Sequence, residues 1–267
     1  MDFIRRFLSI ALVSLACTGC FQMNTLLKVK GDGSGTIEHR MMFSSTALAQ
    51  IKQFAGLGGG NQSFDPVSEE QARSMAKSLG EGVTVVSTRP VTAADGQGRE
   101  TVYAFPDVSR IRLSQQPDAP GGLSLRAQGL NTDVSGITMS MSHQPNGNAV
   151  LHIHLPEPAV AALSSAAGAN PAVAQQMALL RTMLAGAKVE IEVEPVGLLV
   201  DSNSPYVYGP RVTLLEMNLD DILTNDALIR RVQASKTPDE LRDAIKNVPG
   251  LKVNLDHEVT VEFTPES

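Results

Sequence analysis

The stretch Ile137–Leu155 reads ITMSMSHQPNGNAVLHIHL. Two runs of alternating apolar and polar residues flank Pro145-Asn146-Gly147, the pattern of an antiparallel β-hairpin. Register decides which half of each run faces inward, because a one-residue slip turns every side chain over. Pairing Gln144 with Ala149 places Met139 and Met141 on the face of His152 and His154. Thioethers beside imidazoles suit copper(I), but this register sets Leu151, Ile153 and Leu155 against Thr138, Ser140 and Ser142. Shifting by one residue leaves a three-residue loop with Gly147 in the left-handed conformation. Met139 and Met141 then join Leu151 and Ile153 in the core, and both histidines join Ser and Thr outside. The second register is the expected one. It makes the H-x-H motif an exposed polar face and not a metal centre.

The same grammar extends in both directions. Thr25–Lys30 and Thr36–Phe43 flank Gly31-Asp-Gly-Ser-Gly35 and read as a hairpin. The glycines lack the G-x-G-x-x-G spacing of a phosphate loop. Ser44 or Ser45 caps a short helix through Leu48, Ile51 and Phe54, ended by GLGGG at 56–60. Ser68-Glu-Glu-Gln71 is a capping box opening a helix to Leu79. Val83–Val91 and Arg99–Phe105 are strands, as is Gly122–Gln128. In Lys188–Glu194, Val189, Ile191 and Val193 face one way and the charged residues the other. Leu198–Asp201, Arg211–Met217, Val253 and Val259–Phe263 supply further strands. Short helices are expected over 220–224 and 225–234. Thr237-Pro-Asp-Glu240 starts another. Strands in hairpin blocks with a few helices predict an α+β fold, a mainly antiparallel sheet with short peripheral helices.

Composition narrows the function classes. The 267 residues are 42% hydrophobic and 19% charged, enough apolar material for a core. The formal net charge of -6 gives no basic footprint for nucleic acid. There are only two cysteines, both in the first twenty residues, so no disulfide framework exists.

Those cysteines belong to the most informative segment. Arg5 and Arg6 precede an uncharged, mostly apolar run, Phe7–Ala16 (FLSIALVSLA). Ten residues are too few to span a bilayer, which takes roughly 20. They match the h-region of a secretory signal. Small residues then lead to Cys17 and Cys20. This resembles the lipobox of bacterial lipoproteins. The resemblance implies cleavage before the cysteine, a diacylglycerol on its thiol and a palmitate-type acyl chain on the new amino group. Thr18-Gly19 before Cys20 favours Cys20 as the lipid-attachment residue over Cys17. The organisation expected is a lipoprotein signal peptide over 1–19 and an α+β extracytoplasmic domain over 20–267. A flexible region near 158–186 leaves a division into two subdomains open. A tether of three to five residues after Cys20 keeps the fold within roughly 20 Å of the headgroups.

Residues 158–184 are rich in alanine and carry one charge, Arg181. They read as two helices broken near 168–171, either packed on the core or forming a mobile apolar element that faces lipid or a partner. Tyr206 and Tyr208, two of only three tyrosines, stand in a Pro-bounded loop. They are candidate binding residues, with packing back onto the sheet as the alternative.

Catalytic motifs are absent: no G-x-S-x-G elbow, no β-lactamase set of S-x-x-K with S-D-N and K-T-G, and no H-E-x-x-H or Walker A sequence occurs. Asp220-Asp221 suits the first turn of a helix better than hydrolysis. No catalytic residue, metal site or cofactor is therefore assigned. The Cys20 lipobox, the following hairpin with Asp32-Gly33-Ser34-Gly35 and the late turn-then-strand Tyr206–Met217 together resemble uncharacterised bacterial lipoproteins with a lipid-anchored α+β domain. The resemblance implies a cell-envelope protein held to the membrane by its acyl anchor. Its expected role is non-enzymatic binding of a lipid or an envelope protein. An envelope hydrolase with an unrecognised constellation of His, Asp or Ser is the alternative.

Overall fold

The computed structural model describes residues 21–49, 65, 67–113, 136–156, 186–223 and 225–266. The strands are β1 (Phe21–Val29), β2 (Gly35–Ser44), β3 (Thr84–Ala93), β4 (Gly96–Phe105), β5 (Arg112–Leu113), β6 (Ile137–His143), β7 (Ala149–His154), β8 (Lys188–Pro195), β9 (Gly197–Ser202), β10 (Val207–Tyr208), β11 (Arg211–Asn218), β12 (Leu251–Val253) and β13 (Glu258–Pro265). The named helices are α1 (Glu69–Leu79), α2 (Leu219–Leu223), α3 (Asp226–Ala234) and α4 (Pro238–Ile245). Residues 45–49 are also helical.

An eight-stranded sheet runs β10-β11-β8-β1-β2-β4-β3, with β12 added on β11. A five-stranded sheet runs β5-β6-β7-β13-β9. The fold is α+β and antiparallel-dominated, as the hairpin pattern predicts. One pair departs from that pattern: β1 and β8 are parallel, with Gln22 beside Lys188 and Val29 beside Pro195. No local signal marks this pairing, because alternation is the same in either direction.

The two sheets share one apolar core. Leu27, Val29, Ile37, Tyr103, Phe105, Ile191 and Val193 of the larger sheet meet Ile137, Met139, Leu151, Ile153, Val261 and Phe263 of the smaller. The hairpin register is the second of the two considered above: His143 pairs with Ala149, Met141 with Leu151 and Met139 with Ile153. Gly147 has φ 89°, and its N–H bonds the Gln144 carbonyl at 3.0 Å. In β8, Val189, Ile191 and Val193 are buried as expected. Glu192, on the opposite face, is buried too. Its carboxyl is pushed above the usual range, first by burial and then by Glu190, against the pull of Arg211.

Helix starts follow the caps in the sequence. Ser68 accepts from the Gln71 N–H at 3.2 Å, and Thr237 accepts from the Glu240 N–H at 3.2 Å. Glu240 reaches back to the Lys236 N–H at 2.6 Å, one residue beyond the cap itself. Ser44 caps the helical turn after β2 by accepting from the Ala47 N–H at 3.1 Å. Helix α1 buries Ala72 and Ala76, and the Tyr103 hydroxyl donates to the Ala72 carbonyl at 3.1 Å. Burial holds that phenol up at about 12, so it stays a neutral donor. Ser68→Ala is expected to cost about 1 kcal/mol of stability through the lost cap, read from the urea midpoint at unchanged m-value.

Gly35 shows why the first hairpin closes where it does. A Cβ there would stand 2.0 Å from the Lys28 carbonyl oxygen and 2.6 Å from the Phe105 ring. Only glycine permits this approach of backbone to neighbouring strand.

Candidate functional site

Three places bear on function: the start of β1, the tyrosine hairpin, and the outer face of the smaller sheet.

Cys20 lies outside the described residues, and so do residues 158–184. The residue after Cys20 is described, and it is already in a strand. Phe21 opens β1 and pairs with Phe43. β1 lies between β8 and β2, inside the eight-stranded sheet. The strand expected from sequence to begin at Thr25 thus begins at Phe21. The Phe21 and Phe43 rings are tilted with centroids 5.1 Å apart. They adjoin a small apolar cluster of Phe43, Ala47 and Leu48 that is separate from the main core. Lys188, beside Gln22, stands at the same end of the sheet.

Tyr206 and Tyr208 differ in setting. Tyr206 is half-buried, and its backbone is held at both ends: its N–H bonds Ser204 Oγ at 3.2 Å and its carbonyl accepts from Thr213 at 2.9 Å. Tyr208 is 57% exposed and lies in β10, the edge strand of the larger sheet, where sequence suggested a loop. The Lys252 ammonium sits 4.4 Å from its ring centroid. Lys252 also binds Glu216 at 2.7 Å, which holds the lysine above its ordinary value. One ring face of Tyr208 is thus taken by a cation, an interaction worth roughly 0.5–1 kcal/mol at an exposed site.

The third place comes from the register. Alternation puts Ser140, Ser142, His152, His154, Glu258 and Thr260 on the outward face of β6, β7 and β13. Ser142 Oγ lies 2.9 Å from His152 Nε2. On the other side of the ring, His152 Nδ1 lies 2.6 Å from Glu258 Oε1. The second carboxylate oxygen lies 3.7 Å from His154 Nδ1. The hydrogen bond from His152, and then the charges of both imidazoles, hold the Glu258 carboxyl below the usual range. Among the described residues, no group of three His, Cys, Asp or Glu side chains is placed to hold a metal ion. The H-x-H pair is instead tied to a carboxylate and a hydroxyl. Sequence reading found both histidines but neither Ser142 nor Glu258 as a partner. Glu258 is 106 residues from His152 in the chain, and no motif spans that distance.

The acidic pair has ordinary partners. Asp220 Oδ1 accepts from the Gly186 N–H at 2.6 Å, and Asp221 Oδ2 accepts from Asn218 at 2.7 Å. Among the described residues, no helix is long and apolar enough to cross a membrane.

No family model matches the chain, and no curated protein matches it. Among solved structures, it is similar to the folded domain of the LppM protein of Mycobacterium tuberculosis, determined by NMR. The identity is 10% and the TM-score 0.32, over 95% of this chain and 98% of that one. A likeness of that size assigns neither fold nor family, so function here rests on the residues themselves.

Proposed function

We propose that this chain is a lipid-anchored bacterial cell-envelope protein, acylated at Cys20, whose domain works as a binding module at the membrane surface. The lipobox-like residues up to Cys20 carry the anchor, and the start of β1 carries the placement at the membrane surface. Consecutive Cα atoms are about 3.8 Å apart, and Phe21 is already paired inside a sheet. An acyl group on Cys20 would therefore hold the sheet end against the headgroups with no spacer. A single acyl chain binds membranes marginally, whereas two or three give stable anchoring. The low charge of residues 158–184 supports the same orientation. That segment rejoins the described chain at Gly186, two residues before Lys188, which pairs with Gln22.

The test is fractionation with intact-mass analysis of the extracted protein. The expected native product begins at Cys20, carries acyl mass and sediments with membranes. Cys20→Ser is expected to move most of the protein to the soluble fraction and to abolish the acyl mass. A soluble, unacylated native product would refute the anchor. Mass analysis of whatever copurifies then tests binding. A lipid or envelope protein lost on changing residues within 158–184 supports the module, and a clean, ligand-free monomer counts against it.

A further inference from the structure

The bonds around His152 fix more than the ring's position. A carboxylate is acceptor-only, so Nδ1 carries the proton toward Glu258 and Nε2 presents a lone pair to the Ser142 hydroxyl. That is the tautomer a general base needs to activate a serine. The geometry follows from register. Ser142 pairs with Val150 and Glu258 with His154. Each is therefore diagonal to His152, on neighbouring strands and within reach of a long side chain. The two bonds, 2.9 and 2.6 Å, fall within hydrogen-bonding range for a nucleophile, base and orienting acid. Ser140, directly opposite His152, is not the bonded hydroxyl.

We propose that Ser142, His152 and Glu258 form a nucleophilic relay through which Ser142 accepts an acyl group from an ester. The inference rests on the outer face of the smaller sheet and does not depend on the anchor. Ser142 Oγ adds to the ester carbonyl carbon while His152 Nε2 takes the hydroxyl proton. The C–O bond to the leaving alcohol then breaks, and that alcohol takes the proton from Nε2. The acyl group remains on Ser142 as an ester. Water then adds to the acyl carbon as His152 Nε2 takes its proton, the C–O bond to Ser142 Oγ breaks, and Oγ takes the proton back from Nε2 as the carboxylic acid leaves. Glu258 is a positioning residue: it holds the tautomer and stabilises the imidazolium formed in each half-reaction. The relay stands on an open sheet face, with the His152 side chain 31% exposed. Its substrate class is therefore a carboxylic ester reached directly from solvent.

The full chain, extracted in detergent, is treated with a fluorophosphonate probe and, separately, with p-nitrophenyl acetate. One adduct is expected, on the peptide containing Ser142, together with release of p-nitrophenol. Ser142→Ala is expected to abolish both, and Ser140→Ala to leave both within twofold. His152→Gln is expected to slow labelling by about 10²–10⁴-fold, the usual contribution of a positioned base. Glu258→Gln is expected to slow labelling and to change the shape of its pH profile, which a purely structural role would leave in place. Thermal melts confirm that each variant folds. No adduct at Ser142 in the unmodified sequence overturns the proposal without recourse to any variant. An adduct whose rate is unchanged in folded His152→Gln overturns it as well.

Discussion

Phe263→Ala is expected to lower the free energy of unfolding by about 3–5 kcal/mol. Phe263 is fully buried. It lies in β13, which joins β7 on one side and β9 on the other. Its neighbours across the strands are Ala149 and Leu199. The ring belongs to the core shared by both sheets, with Leu27, Ile153 and Val193 among its members. Removing it forfeits the transfer term and leaves a cavity walled by core side chains held on two hydrogen-bonded sheets. Such a wall relaxes little, which favours the upper part of the range. Against a typical total of about 5–15 kcal/mol, one such change is a large fraction. The measurement is urea unfolding of the soluble Cys20→Ser chain with and without the substitution. Leu198→Ala is the control: Leu198 is 71% exposed, and a change of about 0.5 kcal/mol or less is expected. Equal losses at the two positions would contradict the core described here.

The second large effect is a pH dependence set by His39. This histidine faces the interior of the larger sheet between Thr25 on β1 and Thr101 on β4. Its Nδ1 meets Thr25 Oγ1 at 2.9 Å. Its Nε2 is buried and has no hydrogen-bond partner among the described residues. Burial alone lowers its pKa from 6.5 to about 4. Below pH 6.5 the unfolded chain takes up a proton that the folded chain refuses. The stability associated with a neutral His39 is therefore complete above about pH 6.5 and is lost progressively as pH falls toward 4. A shift of that size corresponds to about 3 kcal/mol at its acid limit. Unfolding free energies measured at pH 7.5 and 4.5 for the soluble chain, and for the same chain with His39→Leu, isolate it. Carboxylates such as Glu258 also titrate toward acid pH, but they contribute to both chains and cancel in the difference. The chain with His39 is expected to lose about 2–3 kcal/mol more than its partner over this range. Equal losses would mean that His39 is solvated or that its Nε2 has found a donor or acceptor.

His39 also marks a limit of pattern reading. Alternation in Thr36–Phe43 places it on the inward face with Ile37 and Phe43, yet a lone histidine in a strand carries no sign of its burial. The hairpin at Ile137–Leu155 is the opposite case. There the loop length, the left-handed glycine and the match of Met139 and Met141 to Leu151 and Ile153 all demand one register, and that register is present. Caps at Ser68 and Thr237 were legible for a similar reason: a side chain and the amide it binds are three residues apart.

The sequence by itself determined the local elements, the inward and outward face of most strands, and the lipobox-like start on which the anchor proposal rests. These depend on interactions within a few residues, where period and spacing carry the information. Only the tertiary structure decided which strands are neighbours. It set the parallel pairing of β1 with β8, the immediate entry of Phe21 into the sheet interior, and the meeting of Ser142, His152 and Glu258. Backbone hydrogen bonding is indifferent to side-chain identity, so any amphipathic strand can pair with any other. The choice is made by how two whole sheets bury their apolar faces together, and no local stretch of the chain encodes it.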